Sequence, residues 1–158
     1  VILYDSEQIS EAQVEIKSPS EAVKNGIGLI AEDRKTQGIF ANQMLSMNVT
    51  VAALGKLGNG LNAVFPDREK ERTRQFISSL KIKCLGPSQS VERLSGGNQQ
   101  KTLLARWLDV GASVWLLDEP TRGVDAESKL AIHRLLRELR DKGVALIIVS
   151  SEMASGSL

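Results

Sequence analysis

The sequence holds one cysteine, Cys84, and one histidine, His133. A single thiol excludes an internal disulfide and suits a reducing compartment. No histidine or metal-ligand spacing surrounds Cys84, so it reads as a small half-buried filler rather than a reactive thiol. His133 falls among Lys129, Arg137 and Arg140, on what periodicity makes the exposed side of a helix, and no triad can be assembled around it. An excess of either charge is also missing. The formal net charge of +1 excludes a bulk field that draws the chain to nucleic acid or to an acidic membrane. The one charged cluster, Asp67 to Arg74, mixes both signs and reads as a solvated helix face. The longest strongly apolar run, Val144 to Val149, is far too short to span a bilayer. No signal peptide, internal repeat or low-complexity segment is visible, and the chain begins at Val1 without a methionine, which points to an excerpt or a processed fragment. Finally, Gly-x-x-x-x-Gly-Lys-Ser/Thr occurs nowhere. Gly55-Lys56 lacks both the earlier glycine and the following hydroxyl. Gly58 to Ala63 fits a loose dinucleotide fingerprint, but no strand precedes it and no acidic residue follows at the needed distance.

A length of 158 residues with 42% hydrophobic content is enough to bury one core, so a single domain is expected. Val1–Tyr4 and Ala12–Ile16 alternate apolar and polar residues and predict two short strands. Ser18 can cap a helix that starts at Pro19 and stops at Asn25-Gly26. Ile27 to Ala31 is a buried-type strand that delivers Glu32-Asp33-Arg34-Lys35 to its carboxyl end. A helical patch is expected around Val49 to Leu57. A helix opens at Pro66-Asp67 with Phe76, Ile77 and Leu80 inward, and Gly86-Pro87-Ser88 is a loop. Ser95 caps a helix to about Leu108. Val114 to Asp118 is a strand, Ala126 to Lys142 a helix with Leu130, Leu135, Leu136 and Leu139 inward, and Val144 to Ser150 a strand. Strand, helix, strand in that order predicts parallel pairing. The expected architecture is α/β, with strands near 27, 114 and 144 and a mostly helical insertion over about 38–108. The small polar residues from Ala154 to Leu158 predict a frayed end.

Two stretches carry chemistry. In Leu116-Leu117-Asp118-Glu119-Pro120, a buried strand ends on two carboxylates. A strand buried on both faces admits acids only where it leaves the sheet, and in open α/β sheets that edge binds ligands. Asp118 there can hold Mg²⁺ through water, and Glu119 can orient or deprotonate a water that attacks a γ-phosphate. Asp-Glu alone favours the reading of a solvated strand end. Pro120-Thr121 and the Gly123-Val124-Asp125 that follows turn the reading to function. In Leu94-Ser95-Gly96-Gly97-Asn98-Gln99-Gln100-Lys101, two glycines open a helix. A helix N-terminus presents free N–H groups and partial positive charge to a phosphate, and glycine lets the backbone approach it.

These stretches, with Ser18 to Val23, Gly28 to Lys35, Leu116 to Asp125 and Ile147 to Glu152, resemble the ATP-binding cassette (ABC) ATPases. The resemblance is to the second nucleotide-binding half of the tandem cassettes that drive bacterial monosaccharide import of the ribose, galactose and xylose type. It covers nearly the whole chain. It implies a P-loop NTPase-like ABC nucleotide-binding domain whose N-terminal portion is missing, with the phosphate loop upstream of Val1 and residues 1–158 as one partial domain. It implies ATP and Mg²⁺ as ligands. It implies a second cassette and membrane permease subunits as partners, with no nucleic acid and no direct contact with the sugar, and a cytoplasmic place on the inner face of the membrane through the permease.

In that family ATP lies between the phosphate loop of one half and the Ser-Gly-Gly turn of the other. Ser95, Gly96, Gly97 and Gln99 would therefore serve a partner's nucleotide. Asp118 would coordinate Mg²⁺, Glu119 would polarise water at the domain's own site, and Asp125 would lie in the loop that communicates between sites. Two positions depart from the wider family. Its Mg²⁺-contacting glutamine is here Glu32, and its switch histidine is here Ser151, which has no imidazole to hold a γ-phosphate. The region holding Met44, Leu45, Met47 and Val49 is either packed core or a surface that docks a permease helix. Two further readings stay open: a non-catalytic regulatory or scaffold module that completes a partner's ATP site, and a cassette protein of DNA repair or translation. The balanced charge and Asn98 after the two glycines count against the last.

Overall fold

The structure, a computed structural model, describes residues 15–54 and 66–151. The strand expected at Val1–Tyr4, most of that expected at Ala12–Ile16, the end of the helical patch at Leu57 and the C-terminal residues from Ala154 lie outside the described residues. Glu15 to Lys17 are irregular.

Among the described residues, three parallel strands form one sheet in the order β1 (Ile27–Ile30), β2 (Val114–Asp118), β3 (Ala145–Val149). Ile27 pairs with Val114, and Asp118 with Val149, so β2 is central. Helix α1 (Pro19–Lys24) leads into β1. Its Ser18 Oγ accepts from the Glu21 N–H at 3.2 Å, and Pro19 occupies the first turn, where it has no N–H to waste. Between β1 and β2 the chain is helical: α2 (Leu45–Thr50), α3 (Pro66–Ser79) and α4 (Gly96–Val110), with single turns at 34–38, 51–53 and 91–93. Helix α5 (Ala126–Asp141) links β2 to β3.

The core lies on one face of the sheet. Ile30, Trp115 and Leu117 point into it and meet Leu103 and Leu104 of α4 and Ile132 and Leu136 of α5. Strand alternation sends Leu29, Ile147 and Val149 to the other face, where they are exposed. The all-apolar strand sequences predict cover on both faces; among the described residues only one is covered. Gly28 brings β1 against α4. A Cβ there would lie 2.8 Å from Trp107 Cδ2, and the Trp107 indole N–H donates to the Leu29 carbonyl at 2.9 Å.

The helices between β1 and β2 are tied by buried polar bonds. Arg106 donates through Nε to the Asn48 carbonyl and through Nη1 to the Gly38 carbonyl, both at 2.8 Å, and burial pulls its pKa down to about 10. Thr50 Oγ1 donates to Glu69 Oε1 at 2.6 Å, joining α2 to α3, and Arg72 Nε meets Asp109 Oδ1 at 2.6 Å, joining α3 to α4. Phe76, Ile77 and Leu80 pack against the core as expected, as does the half-buried Cys84.

Three expectations need correction. Leu130 is 60% exposed rather than inward, and Ile132 takes its place. The two positions lie about 200° apart round the helix, and the stripe that meets the sheet is Ile132, Leu135, Leu136 and Leu139. His133 is half-buried rather than fully on the solvent side. Helix α2 starts at Leu45, four residues before the expected patch, because Leu45 and Val49, one turn apart, both enter the core.

Candidate functional site

At the carboxyl end of β2 the chain leaves the sheet through Asp118 and turns sharply at Glu119, which takes a left-handed φ of 45°. That backbone is costly for a residue with a Cβ, and neighbours hold it in place. The Glu119 N–H donates to the Val149 carbonyl at 2.9 Å. Its carboxylate accepts from the Ser151 hydroxyl and backbone N–H and from Ser150 Oγ, and these bonds, the Ser151 hydroxyl first, hold it below the usual carboxylate range. Glu119 and Ser151, 32 positions apart, are thus direct partners. The Asp118 carboxylate beside them has no hydrogen bond or ion pair among the described residues. Hard oxygen donors at a strand end fit Mg²⁺, which uses one or two carboxylates and completes its shell with water and phosphate. Asp118 is therefore a suitable holder.

The second cluster forms where α4 begins. Ser95 occupies the N-cap position but does not cap the backbone; its Oγ accepts from Asn98 Nδ2 at 2.8 Å. Asn98 in turn accepts from the Lys83 N–H through Oδ1 at 2.9 Å. Gly97 is the point of contact with α5: a Cβ there would lie 2.5 Å from Ser128 Cβ and 2.9 Å from Asp125 Oδ2. Asp125 caps α5, accepting from the Ser128 N–H at 2.9 Å and the Ser128 hydroxyl at 2.8 Å. The backbone bond, then the hydroxyl, lowers its pKa. A pocket of about 200 Å³ opens here, lined by Ser95, Asn98, Lys83, Lys101, Asp125 and Ser128.

A third group joins these two to the end of β1. Arg34 Nη1 donates to the Arg122 carbonyl at 2.7 Å and Nη2 to the Gly123 carbonyl at 3.1 Å. Its Nε reaches Gln99 Oε1 at 3.5 Å. A Cβ on Gly96 would lie 2.6 Å from Arg34 Nη2 and 2.8 Å from the Gly123 carbonyl oxygen. Gln99 is buried, with its Nε2 donating to the Val91 carbonyl at 3.2 Å, so its amide faces inward. Glu32 forms an ion pair with Arg122. Asp33 caps the turn at 34–38 by accepting from Thr36 Oγ1 at 2.8 Å and the Lys35 N–H at 3.0 Å; the Thr36 hydroxyl above all lowers its pKa.

The structure thus assembles Asp118, Glu119 and Ser151 as one cluster and Ser95, Gly96, Gly97, Gln99 and Asp125 as another, with Glu32 bound to the loop between them. Reasoning from sequence missed Arg34, Arg122 and Ser128 as members. Ser128, three residues after Asp125, carries a local capping signal. The partners of Arg34 are distant in the chain, and no local pattern shows them.

A strand ending on Asp-Glu, followed by a loop that packs on a Ser-Gly-Gly helix start, agrees with what family comparison finds. The family model described as "ABC transporter" matches residues 2–122, well over half of the chain. The chain belongs to the ABC transporter family. Among curated relatives, the ribose import ATP-binding protein RbsA of Clostridium tetani is 35% identical over 145 residues, covering 92% of this chain and 29% of its own length. The xylose import ATP-binding protein XylG of Escherichia coli K12 is 39% identical over 145 residues, covering 92% of this chain and 28% of its own. The chain therefore spans under a third of the length of the curated relatives it matches. Solved structures share the fold at lower identity. The dimeric structure of a bacterial ABC transporter cassette superposes with a TM-score of 0.68 at 20% identity, covering 85% of this chain and 56% of that one. A cassette in a post-hydrolysis state bound to ADP and Pi gives 0.70 at 18% identity, covering 88% and 59%. Among the described residues no helix is long and apolar enough to cross a membrane.

Proposed function

We propose that this ABC chain acts in the ATP-driven import of a monosaccharide, as part of a cassette that pairs head-to-tail with a second one. Its Ser95–Gly97 turn serves the nucleotide held by the partner, and its Asp118 and Glu119 serve the site on its own side. The observation that carries the reading is the packing of the Gly97 turn directly on Asp125 and Ser128, with a polar pocket open beside Ser95. The names of the relatives, ribose and xylose import ATP-binding proteins, support the transport context.

The chemistry follows from the residues. The N–H groups at the start of α4, together with the helix dipole, attract phosphate oxygens, and the exposed Ser95 hydroxyl adds a donor. Asp118 would hold Mg²⁺, which would supply charge neutralisation for the phosphates. Hydrogen bonds from Ser151 and Ser150 stabilise the charge of Glu119 and hold its pKa below the usual carboxylate range. Held in place by those bonds, Glu119 orients or deprotonates the attacking water. Asp125 fixes the start of α5 against the turn, and Gln99 supports the turn from inside. Glu32 grips Arg122 and links the end of β1 to the same loop. The described residues between 38 and 108 form the helical part of the cassette. Phe40 and Met44, about half exposed, with Met47 beside them, form the surface that docks a permease helix, which places the cassette at the inner face of the membrane.

One observation favours the regulatory reading for the chain's own site: Ser151 holds Glu119 where the family's histidine would meet the γ-phosphate. The chain then completes its partner's site without turning over its own. Mg-ATP-dependent association with a cassette that carries a phosphate loop tests the main reading, with sedimentation as readout. Ser95→Glu sets a negative charge on an exposed residue at the phosphate position, and abolishes that association. Equal association of wild type and variant would overturn the reading.

A further inference from the structure

Arg34 makes a set of bonds that the proposed chemistry does not use. Its three acceptors lie 65, 88 and 89 positions along the chain, on α4 and on the loop after β2. A guanidinium is a planar, always-charged fork with donors fixed in direction, so it can hold several oxygens in one geometry where a lysine ammonium cannot. The Arg122 and Gly123 carbonyls sit beside the Gly96 turn, and left unpaired their partial negative charge would oppose an anion there. Arg34 occupies both, at 2.7 Å and 3.1 Å. Gly96 makes room for this: the guanidinium lies where its Cβ would be. The Arg122 side chain is held by Glu32, two residues before Arg34, so the loop is gripped by its carbonyls and by its side chain together.

We propose that Arg34 is a positioning residue for the phosphate-facing turn at Ser95–Gly97: its fork holds the Arg122–Gly123 loop against Gly96 while its Nε meets Gln99 just after the turn, and so makes the order of the turn depend on the element that follows β1. The inference rests on the proposed role of the turn. It gives Gly96 a second duty, room for a cation as well as for an anion. It also gives the loop after β1 a direct mechanical hold on the half-site, through bonds rather than through nucleotide.

Two measurements on the intact cassette protein test it. In ATP hydrolysis with the partner cassette, Arg34→Ala raises KM for ATP at least tenfold while kcat per assembled pair stays within about twofold. Arg34→Lys keeps the charge and the aliphatic stem, and recovers no more than a third of that loss. A purely structural arginine would instead lower the folded fraction and kcat with KM unchanged, and that result, or full rescue by lysine, overturns the proposal. Without nucleotide, amide exchange at Gln99 and Gln100, the first hydrogen-bonded N–H groups of α4, accelerates at least tenfold in Arg34→Lys. Unchanged exchange overturns the proposal whatever the ATP result. Wild-type protein that shows no response to Mg-ATP, with faster exchange in the variant, overturns the functional reading and leaves the positioning role standing.

Discussion

Glu119 sits in a backbone conformation that its side-chain type disfavours, and bonds from the end of β3 hold it there. A residue kept strained at the edge of a binding site points to chemistry. Glu119→Gln keeps the shape and removes the charge. It lowers ATP hydrolysis about 100-fold or more and leaves Mg-ATP binding nearly unchanged; steady-state kinetics beside equilibrium dialysis checks both. The carboxylates also set the response to acid. Asp33, Glu119 and Asp125 all have pKa values lowered in the fold from ordinary values of 3.8, 4.5 and 3.8. The stability they lend is whole above those ordinary values and is lost as pH falls through the lower, folded ones. Thermal melts taken from neutral to strongly acid pH show this fall, and Asp125→Asn makes it shallower. Arg106 belongs to the same scale. Replacing it with methionine strands the Gly38 and Asn48 carbonyls and costs about 3 kcal/mol, read by urea unfolding.

At the scale of elements, the start of α4 is decided by its contact with α5. Gly97→Ala drives a methyl into Ser128 and Asp125 and destabilises by about 1–3 kcal/mol. Ser128→Gly recovers part of that loss, a coupling that a double-mutant cycle measures. Helix α2 divides its residues between two tasks: Leu45 and Val49 are buried, while Met44 and Met47 are exposed. Met44→Glu therefore leaves the thermal midpoint nearly unchanged and weakens assembly with the permease at least tenfold, seen by co-purification. Much at this scale is legible in the sequence. The cap of α1, its Asn25-Gly26 stop and the carboxylate end of β2 are local signals, satisfied within a few residues of the chain. Leu130 shows the limit. Its apolar side chain fits a helix face in the abstract, and only the placement of α5 on the sheet selects Ile132 instead.

Across the whole molecule, the sheet is packed on one face and open on the other among the described residues. Leu29 and Ile147 lie on the open face at 54% and 43% exposure. Replacing both with threonine leaves the unfolding midpoint nearly unchanged, because little buried area is lost. It also lowers concentration-dependent self-association, which light scattering follows. The family relationship and the cassette fold rest on the chain as a whole. The proposed division of labour between the two clusters rests on one loop, residues 119–125, that touches both. By itself the sequence determined the α/β plan, the two motifs and their family, because strand period, helix caps and glycine turns act over a few neighbouring residues. Only the tertiary structure decided that Arg34 meets Gly96, that Ser151 holds Glu119, that Gln99 turns inward and that, among the described residues, one face of the sheet stays open. Those contacts join residues tens of positions apart, and packing, not local preference, chooses among the partners that each could have.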